Sequence, residues 1–345
     1  MAYGRTGVSG SFVANRDGSN EQPLTGLPNG VGIGTKDTLL WSPDGNWLLI
    51  IPSARATCYF IGLKDGVSHA VTLPTSHVSD QHKIERPVWS PSSRQLALFD
   101  SVNAGMVNAE AKLYLVDMAH IEAVPVLIPA TSVAGTPPST GFGISYSTPV
   151  WLDEHHVVFS KSTDQISAAD NRLLILVDVT SRSQRVWHTF PLTEIQAIDR
   201  VTIAPNGRHL AFTALASKGT RSLLYILDPD GNVLKIVPDV TADAWFSWSP
   251  DGKLLGLGGY SSGIPGIKIT WLQLDDFSLH QMLAGTTGLV SPLWSPDSHA
   301  LLTCQHLPTT NGAATQGKTL LIPIAAEGVL VTLFDTPICP MLWLP

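Results

Sequence analysis

Charged residues are scarce in this sequence. They make up 14% of its 345 residues, whereas about a quarter is typical of soluble domains. The 21 Lys and Arg residues are scattered along the chain, and the formal net charge is −7. Because binding to a phosphate backbone needs a concentrated basic surface, this pattern argues against a nucleic-acid partner.

Long apolar runs are missing as well. None approaches the ~18 residues of a membrane-spanning helix. The opening MAYGRTGVSGSF has no charged region followed by an apolar one, so no secretory signal is visible. We therefore expect a monomer that does not insert into a membrane. It is either cytoplasmic or an extracytoplasmic piece, mature or excised, of a longer chain.

The sequence also lacks the usual signatures of catalysis and metal binding. Its three cysteines, Cys58, Cys304 and Cys339, are too widely spaced for a disulfide framework or a Cys-x-x-Cys site. There is no Gly-x-Ser-x-Gly elbow and no Gly-rich phosphate loop. His155 and His156 are adjacent, so in a strand they point to opposite faces and do not share an ion. We predict no metal, no cofactor and no catalytic residue.

What the sequence does contain is a repeated turn. WSPDG occurs at 41–45 and 248–252, and the variants WSPSS and WSPDS occur at 89–93 and 294–298. Apolar runs flank each copy, which is typical of a β-hairpin with a tight turn. The first residue of each copy serves as a marker. Two eroded copies and the C-terminal CPMLWLP extend the series, so that the markers are Trp41, Trp89, Trp151, Ile203, Trp248, Trp294 and Trp343.

The spacing of the markers predicts the architecture. Neighbouring markers lie 45 to 62 residues apart, and a second hairpin follows each of the first six. Repeats of this length with four strands, A to D, indicate a β-propeller. We predict an all-β, seven-bladed propeller of four-stranded antiparallel blades, with residues 1–345 as one domain. Strand A of the seventh blade comes from 339–345 and strands B to D from the N-terminus, which closes the ring without an open sheet edge.

The WSPDG repeat resembles the TolB-type, or WD-like, propeller repeat. That repeat occurs in bacterial TolB and in the propeller domains of prolyl oligopeptidase-like enzymes. The resemblance implies a propeller, a fold that serves as a protein-binding platform, an enzyme gate or an enzyme. We interpret the motif itself as structural: the Trp packs between blades, and Asp44, Asp251 and Asp297 bond to turn backbone rather than catalyse.

A candidate site precedes strand A of each repeat. In an up-and-down blade the short A–B and C–D turns lie on one face, and the long B–C and D–A segments lie on the other, where binding residues tend to be. Acid–arginine pairs occur there twice, and Arg and Trp often anchor interfaces. The alternative is that these acids and arginines pair with each other and seal the tunnel mouth. The predicted binding residues of this central mouth are Asp37, His82, Glu85, Arg86, Asp199, Arg200, Asp243 and Trp245.

These observations predict a non-enzymatic scaffold that binds a protein or peptide partner on its long-loop face and central mouth. One alternative is a propeller-type glycan lyase or hydrolase, or a lactonase, that uses the acids of the central mouth. Another is a sensor domain of a larger membrane-anchored protein.

Overall fold

The structure is a computed structural model. It describes residues 2–4, 11–13, 22–23, 37–52, 57–74, 82–102, 110–128, 144–163, 171–217, 222–240, 245–261, 264–281, 292–306, 317–325, 329 and 331–335. All of its sheets are antiparallel, and the only helical segment in the described ranges is a 3-10 turn, Met118–His120. The predicted all-β class is therefore confirmed. None of the described segments is a helix long and apolar enough to cross a bilayer.

The chain divides into two compact units, Met1–Leu192 and Thr193–Pro345. Unit 1 holds four sheets: β1–β3, β4–β7, β8–β11 and β12–β16. Their strands are β1 Ala2–Gly4, β2 Ser11–Val13, β3 Gln22–Pro23, β4 Thr38–Trp41, β5 Trp47–Ile51, β6 Thr57–Gly62, β7 Ser68–Thr72, β8 His82–Trp89, β9 Gln95–Val102, β10 Glu110–Asp117, β11 Val126–Ile128, β12 Ile144–Tyr146, β13 Val150–Trp151, β14 His156–Thr163, β15 Asn171–Asp178 and β16 Ser183–Pro191.

Unit 2 holds three four-stranded sheets: β17–β20, β21–β24 and β25–β28. Their strands are β17 Ile195–Ile203, β18 Leu210–Ala216, β19 Ser222–Leu227, β20 Val233–Pro238, β21 Trp245–Trp248, β22 Leu254–Ser261, β23 Ile264–Gln273, β24 Leu279–Gln281, β25 Leu293–Trp294, β26 Ala300–His306, β27 Gly317–Pro323 and β28 Val331–Phe334.

Six of the seven sheets contain the predicted path of four strands joined in chain order. In the sheet of β12–β16, strand A is split into β12 and β13, which both pair with β14. The remaining sheet, β1–β3, has three strands. The predicted C-terminal strand A at 339–345 lies outside the described residues. The count of seven blades and the single domain therefore stay predictions.

Four of the marker tryptophans, Trp89, Trp151, Trp248 and Trp294, pack as predicted, between their own sheet and the preceding one. Trp41, which follows the three-stranded sheet in the chain, is instead 37% exposed. Trp89 joins a core cluster with Phe60 of β6, and the two rings meet edge to face at 5.8 Å. Trp151 and Trp294 are likewise buried, and each donates its indole N–H to the backbone of the preceding repeat, at Val88 and Ser247 respectively, over 3.1 Å. Burial of these rings joins neighbouring sheets within each unit.

Each WSPDG turn is held by its own serine and aspartate. Ser42 Oγ donates to the Asp44 carboxylate (2.6 Å) and accepts from the Trp47 N–H (2.9 Å). The Asp44 carboxylate also accepts from the Asn46 N–H (3.0 Å), and Gly45 has a φ of 68°. The turns at Ser249 and Ser295 repeat these bonds, so the motif closes the A–B hairpin.

The same turns are also bonded to the turn of the next repeat. In each of these bonds one partner is a backbone group and the other is a side chain, which is a serine hydroxyl, a carboxylate or an amide depending on the repeat. The bonds run from the Asp44 N–H to Ser93 Oγ (3.0 Å), from the Ser92 N–H to Glu154 Oε1 (2.7 Å), from Asn206 Nδ2 to the Gly252 carbonyl (3.1 Å) and from the Asp251 N–H to Ser298 Oγ (3.1 Å).

Candidate functional site

Two strands that open a repeat, β8 and β17, carry a β-bulge just before the marker. On β8, Glu85 pairs with Phe99 and Val88 pairs with Ala97, so Arg86 and Pro87 share one partner residue on β9. Bulges re-aim side chains and are over-represented next to active sites. Both predicted acid–arginine pairs therefore lie where strand A departs from regular pairing.

Glu85 is held by its neighbours on β8 and β9. Its carboxylate accepts a hydrogen bond from Ser101 Oγ (3.1 Å) and forms an ion pair with the Lys83 ammonium. The Glu85 side chain is 21% exposed. Glu85 thus pairs with Lys83 rather than with Arg86, so the alternative, in which the acid and the arginine pair with each other, does not hold in this repeat.

Arg86 has a backbone conformation that is uncommon for a residue with a Cβ atom. Its φ is 52°, and its side chain is half-buried. In the described part of the chain, no carboxylate forms an ion pair with it. Strained backbone of this kind costs of order 1–3 kcal/mol and clusters at functional sites.

In unit 2, the equivalent pair lies in the β17 bulge. Ile198 pairs with Ala214 and Val201 with Phe212, so Asp199 and Arg200 together face Thr213 of β18. Both side chains are exposed, whereas Thr213 is buried. The two units thus share the bulge but differ in burial of the acid.

For three of the other predicted residues, the structure gives a position in or next to a strand. Asp37 is half-buried, directly before β4, and it has interactions of its own. His82 and Trp245 are the first residues of β8 and β21. Asp243 lies outside the described residues. Their convergence on one mouth therefore stays a prediction.

The structure adds a residue that the sequence argument missed, Lys161 on β14. It is half-buried, and burial lowers the pKa of its ammonium. Strand B of the other repeats has, at this register position, Pro52, Asp100, Ala214, Gly259 and Gln305. Among these six repeats, aligning the ends of strands B, rather than only the starts of strands A, would have singled out Lys161 and Asp100 as the charged residues of this row.

The turn aspartates act as structural residues, as predicted. The hydrogen bond from Ser42, together with those from Asn46, lowers the pKa of Asp44 to about 2. Bonds from Ser295 and the His299 backbone lower the pKa of Asp297 in the same way. For Asp251, burial raises the pKa, but the bonds from Ser249 and the Lys253 backbone outweigh it. These carboxylates stay ionised to stabilise turns.

The chain was compared with known proteins. No family model and no curated protein matches it. Among solved structures it is similar to an oligogalacturonate lyase in complex with manganese, at 14% identity and a TM-score of 0.60, over 92% of this chain and 83% of the lyase. It is also similar to Porphyromonas gingivalis dipeptidyl peptidase 4, at 13% identity and a TM-score of 0.64, over 94% of this chain and 48% of the peptidase.

A third structure bears on the TolB-type resemblance. TolB from Acinetobacter baumannii matches at 17% identity, over 88% of this chain and 63% of TolB. The TM-score is 0.41, which is too low to argue from. The structures with higher TM-scores agree with a propeller fold, and membership of the TolB family is not shown.

The comparisons contradict the predicted non-enzymatic scaffold. The lyase and the peptidase that share this fold are both enzymes. The prediction rested on the absence of short catalytic signatures, namely a nucleophile elbow, a phosphate loop and a metal-binding motif, but their absence excludes only the kinds of catalysis that use them. A propeller can bring catalytic residues together from separate repeats, and no short motif records such a site.

Proposed function

We propose that this chain is a glycan-cleaving enzyme of the lyase or hydrolase type, and specifically a lyase that acts on an acidic glycan. The observation that supports it is the Glu85–Arg86 bulge, where a carboxylate held by Lys83 and Ser101 is followed in the chain by an arginine that has no acidic partner among the described residues. The share of each similar protein that this chain covers also favours a lyase over a peptidase, because the chain matches 83% of the lyase but only 48% of the peptidase.

The residue types favour elimination over hydrolysis. Hydrolysis of a glycosidic bond uses two carboxylates on either side of it. Around the β8 bulge the described side chains provide one partly exposed carboxylate, Glu85, beside Lys83 and Arg86, because the other carboxylate there, Asp100 opposite Ile84, is fully buried. Elimination needs a base and a cation that stabilises negative charge on the substrate, and this group provides both.

The chemistry assigns a role to each residue. The Glu85 carboxylate takes the proton from the carbon next to the carboxylate of a uronic acid, while the Arg86 fork binds that carboxylate as charge builds up on it. A carbon–carbon double bond forms, the glycosidic carbon–oxygen bond breaks, and the leaving oxygen departs with the electron pair and takes up a proton.

No step of this scheme uses a metal ion. The similar lyase was solved with manganese. Among the residues that the structure describes here, no group of three or more His, Cys, Asp or Glu could hold such an ion. The described residues thus do not fit a manganese site.

The test is a product analysis with matched variants. We expect the wild-type chain to convert galacturonate oligomers to unsaturated products, which absorb in the ultraviolet. Glu85→Gln should lower kcat by about 100-fold or more, because it removes the base. Glu194→Gln, an exposed acid after β16, is the control and should retain activity. New reducing ends without unsaturated product would indicate hydrolysis instead, and no cleavage of any acidic glycan would refute the proposal.

We also propose that seven repeats form the propeller, the seventh shared between the two ends of the chain. Its support is the sheet of β1–β3, which has three strands where the other sheets have a path of four, and the marker-like Trp343 near the C-terminus.

A further inference from the structure

Lys161 is a half-buried cation for which no described residue provides a counter-charge. Its ammonium forms no hydrogen bond or ion pair with any described residue, and burial lowers its pKa. Holding a charge partly away from water without a partner costs free energy. An anion placed beside Lys161 would offset that cost, so the position suits a negatively charged ligand.

The strand register places Lys161 in the same layer between two sheets as Glu85 and Ser101. Phe159 of β14 and Phe99 of β9 lie in one core cluster, with ring centroids 5.1 Å apart. Lys161 and Ser101 each follow their phenylalanine by two residues, and Glu85 pairs directly with Phe99. Because side chains alternate along a strand, all three point into the layer between these two sheets.

This end of the two sheets has cations without an acidic partner among the described residues, while the nearby Asp100 directly follows Phe99 and therefore points to the other side of β9. Glu85 is already paired with Lys83, so Arg86 and Lys161 are the cations of this group that lack an acidic partner among the described residues. They occur in a chain whose formal net charge is −7. Two unneutralised cations on neighbouring sheets are typical of a site for an anionic ligand with more than one charge.

We propose that Lys161 is a binding residue for a carboxylate of an acidic glycan. This inference rests on the proposed function and extends it, since Arg86 then binds the uronate that reacts and Lys161 binds a uronate of a neighbouring sugar. It predicts a preference for oligomers over the single sugar, because a monomer can reach only one of the two cations.

The experiment is a calorimetric titration with trigalacturonate, with galactotriose as the neutral counterpart and hexaglutamate as an acidic peptide. Lys161→Met should weaken binding of trigalacturonate roughly tenfold or more, the effect of losing one hydrogen bond to a charged group. Lys161→Arg keeps the charge and should bind close to the wild type. Lys64→Met, at an exposed turn lysine, is the control and should not change the affinity. Circular dichroism checks that every variant is folded.

A second measurement does not depend on the Met variant. Lysines methylated with carbon-13 give separate signals in NMR spectra, and the Lys161 signal should shift on addition of trigalacturonate while that of Lys64 stays fixed.

The outcomes separate this inference from the proposed function. Binding that depends on Lys161 without cleavage supports the site and refutes the lyase. Cleavage that is unaffected by Lys161→Met supports the lyase and overturns the site. Equal binding of galactotriose, preference for hexaglutamate, or no binding of trigalacturonate also overturns the site.

Discussion

At the residue scale, the fifth position of the repeated turn shows how the replacement of glycine by serine is compensated by a hydrogen bond. Its φ is positive in five repeats, at Gly45, Ser93, Gly207, Gly252 and Ser298. Glycine adopts this conformation without steric cost, whereas serine does not. The two serines instead accept a hydrogen bond from the preceding turn, at Asp44 and Asp251, which offsets the strain.

Two of the glycines provide a matched pair for measuring that strain. A Cβ atom at Gly45 would meet nothing within 4 Å, whereas at Gly252 it would lie 2.5 Å from Asn206 Nδ2. Gly45→Ala should therefore cost only the left-handed backbone, about 1–2 kcal/mol. Gly252→Ala should cost about 1 kcal/mol more, because Asn206 must give up its bonds to the next turn. Chemical denaturation measures both.

The control is the same pair of substitutions in an Asn206→Ala background. With the amide removed, Gly252→Ala should cost no more than Gly45→Ala. A difference that persists in this background would show that Asn206 is not its cause.

At the element scale, the A–B turns carry an acid-sensitive contribution to stability. The pKa of Asp44 is lowered to about 2, and those of Asp251 and Asp297 are lowered as well. A carboxyl group with a lower pKa in the folded state stabilises it fully above its unfolded pKa, near 3.8. That contribution is lost as the pH falls towards the folded pKa.

We therefore expect Asp44→Asn/Asp251→Asn/Asp297→Asn to be less stable than the wild type at pH 7. The difference should shrink as the pH falls from about 4 to about 2. Thermal unfolding followed by circular dichroism across this range measures it. A gap in melting temperature that stays constant down to the lowest pH would contradict the assignment.

The hairpins were predictable at this scale, but the bulges were not. Alternation of apolar residues and the Ser-Pro-Asp-Gly turn identify strands A and B without a structure. A bulge forms where two residues of one strand pair with a single residue of its neighbour. The sequence of either strand alone does not show where that happens. Pro87 was the one available signal, because proline disrupts a ladder. Lys161 was missed for a related reason: the layer that it points into is shared with another sheet, and the sequence around Lys161 does not show which residues that sheet contributes.

At the scale of the whole molecule, sequence predicted the fold class far better than the activity. Repeat spacing reports which strands pair, and that decides the fold. The proposed activity depends on a few side chains from different repeats, such as Glu85 on β8 and Lys161 on β14, which no local pattern links. The scaffold prediction was wrong because it took the absence of short catalytic motifs as the absence of catalysis.

The seven-repeat proposal makes a prediction at this scale. Deleting 339–345 should lower the melting temperature, because the sheet of β1–β3 would lose the proposed fourth strand. A Gly-Ser replacement of equal length at 310–316, within a long B–C segment, should have little effect. Differential scanning calorimetry compares the two, and an unchanged melting temperature after the deletion would refute the shared repeat.

The hydroxyl bonds between turns also bear on how such a protein can be lengthened. Ser93 follows a repeat whose turn has Gly45, and Ser298 follows one whose turn has Gly252, so in both cases a glycine turn donates to a serine turn. Two glycine turns also stand side by side, at Gly207 and Gly252, and there the Asn206 amide donates to the Gly252 carbonyl instead. For duplication, or for engineering by insertion, a copied repeat therefore needs either a serine turn beside it, which makes a module of two repeats, or an asparagine at the position of Asn206.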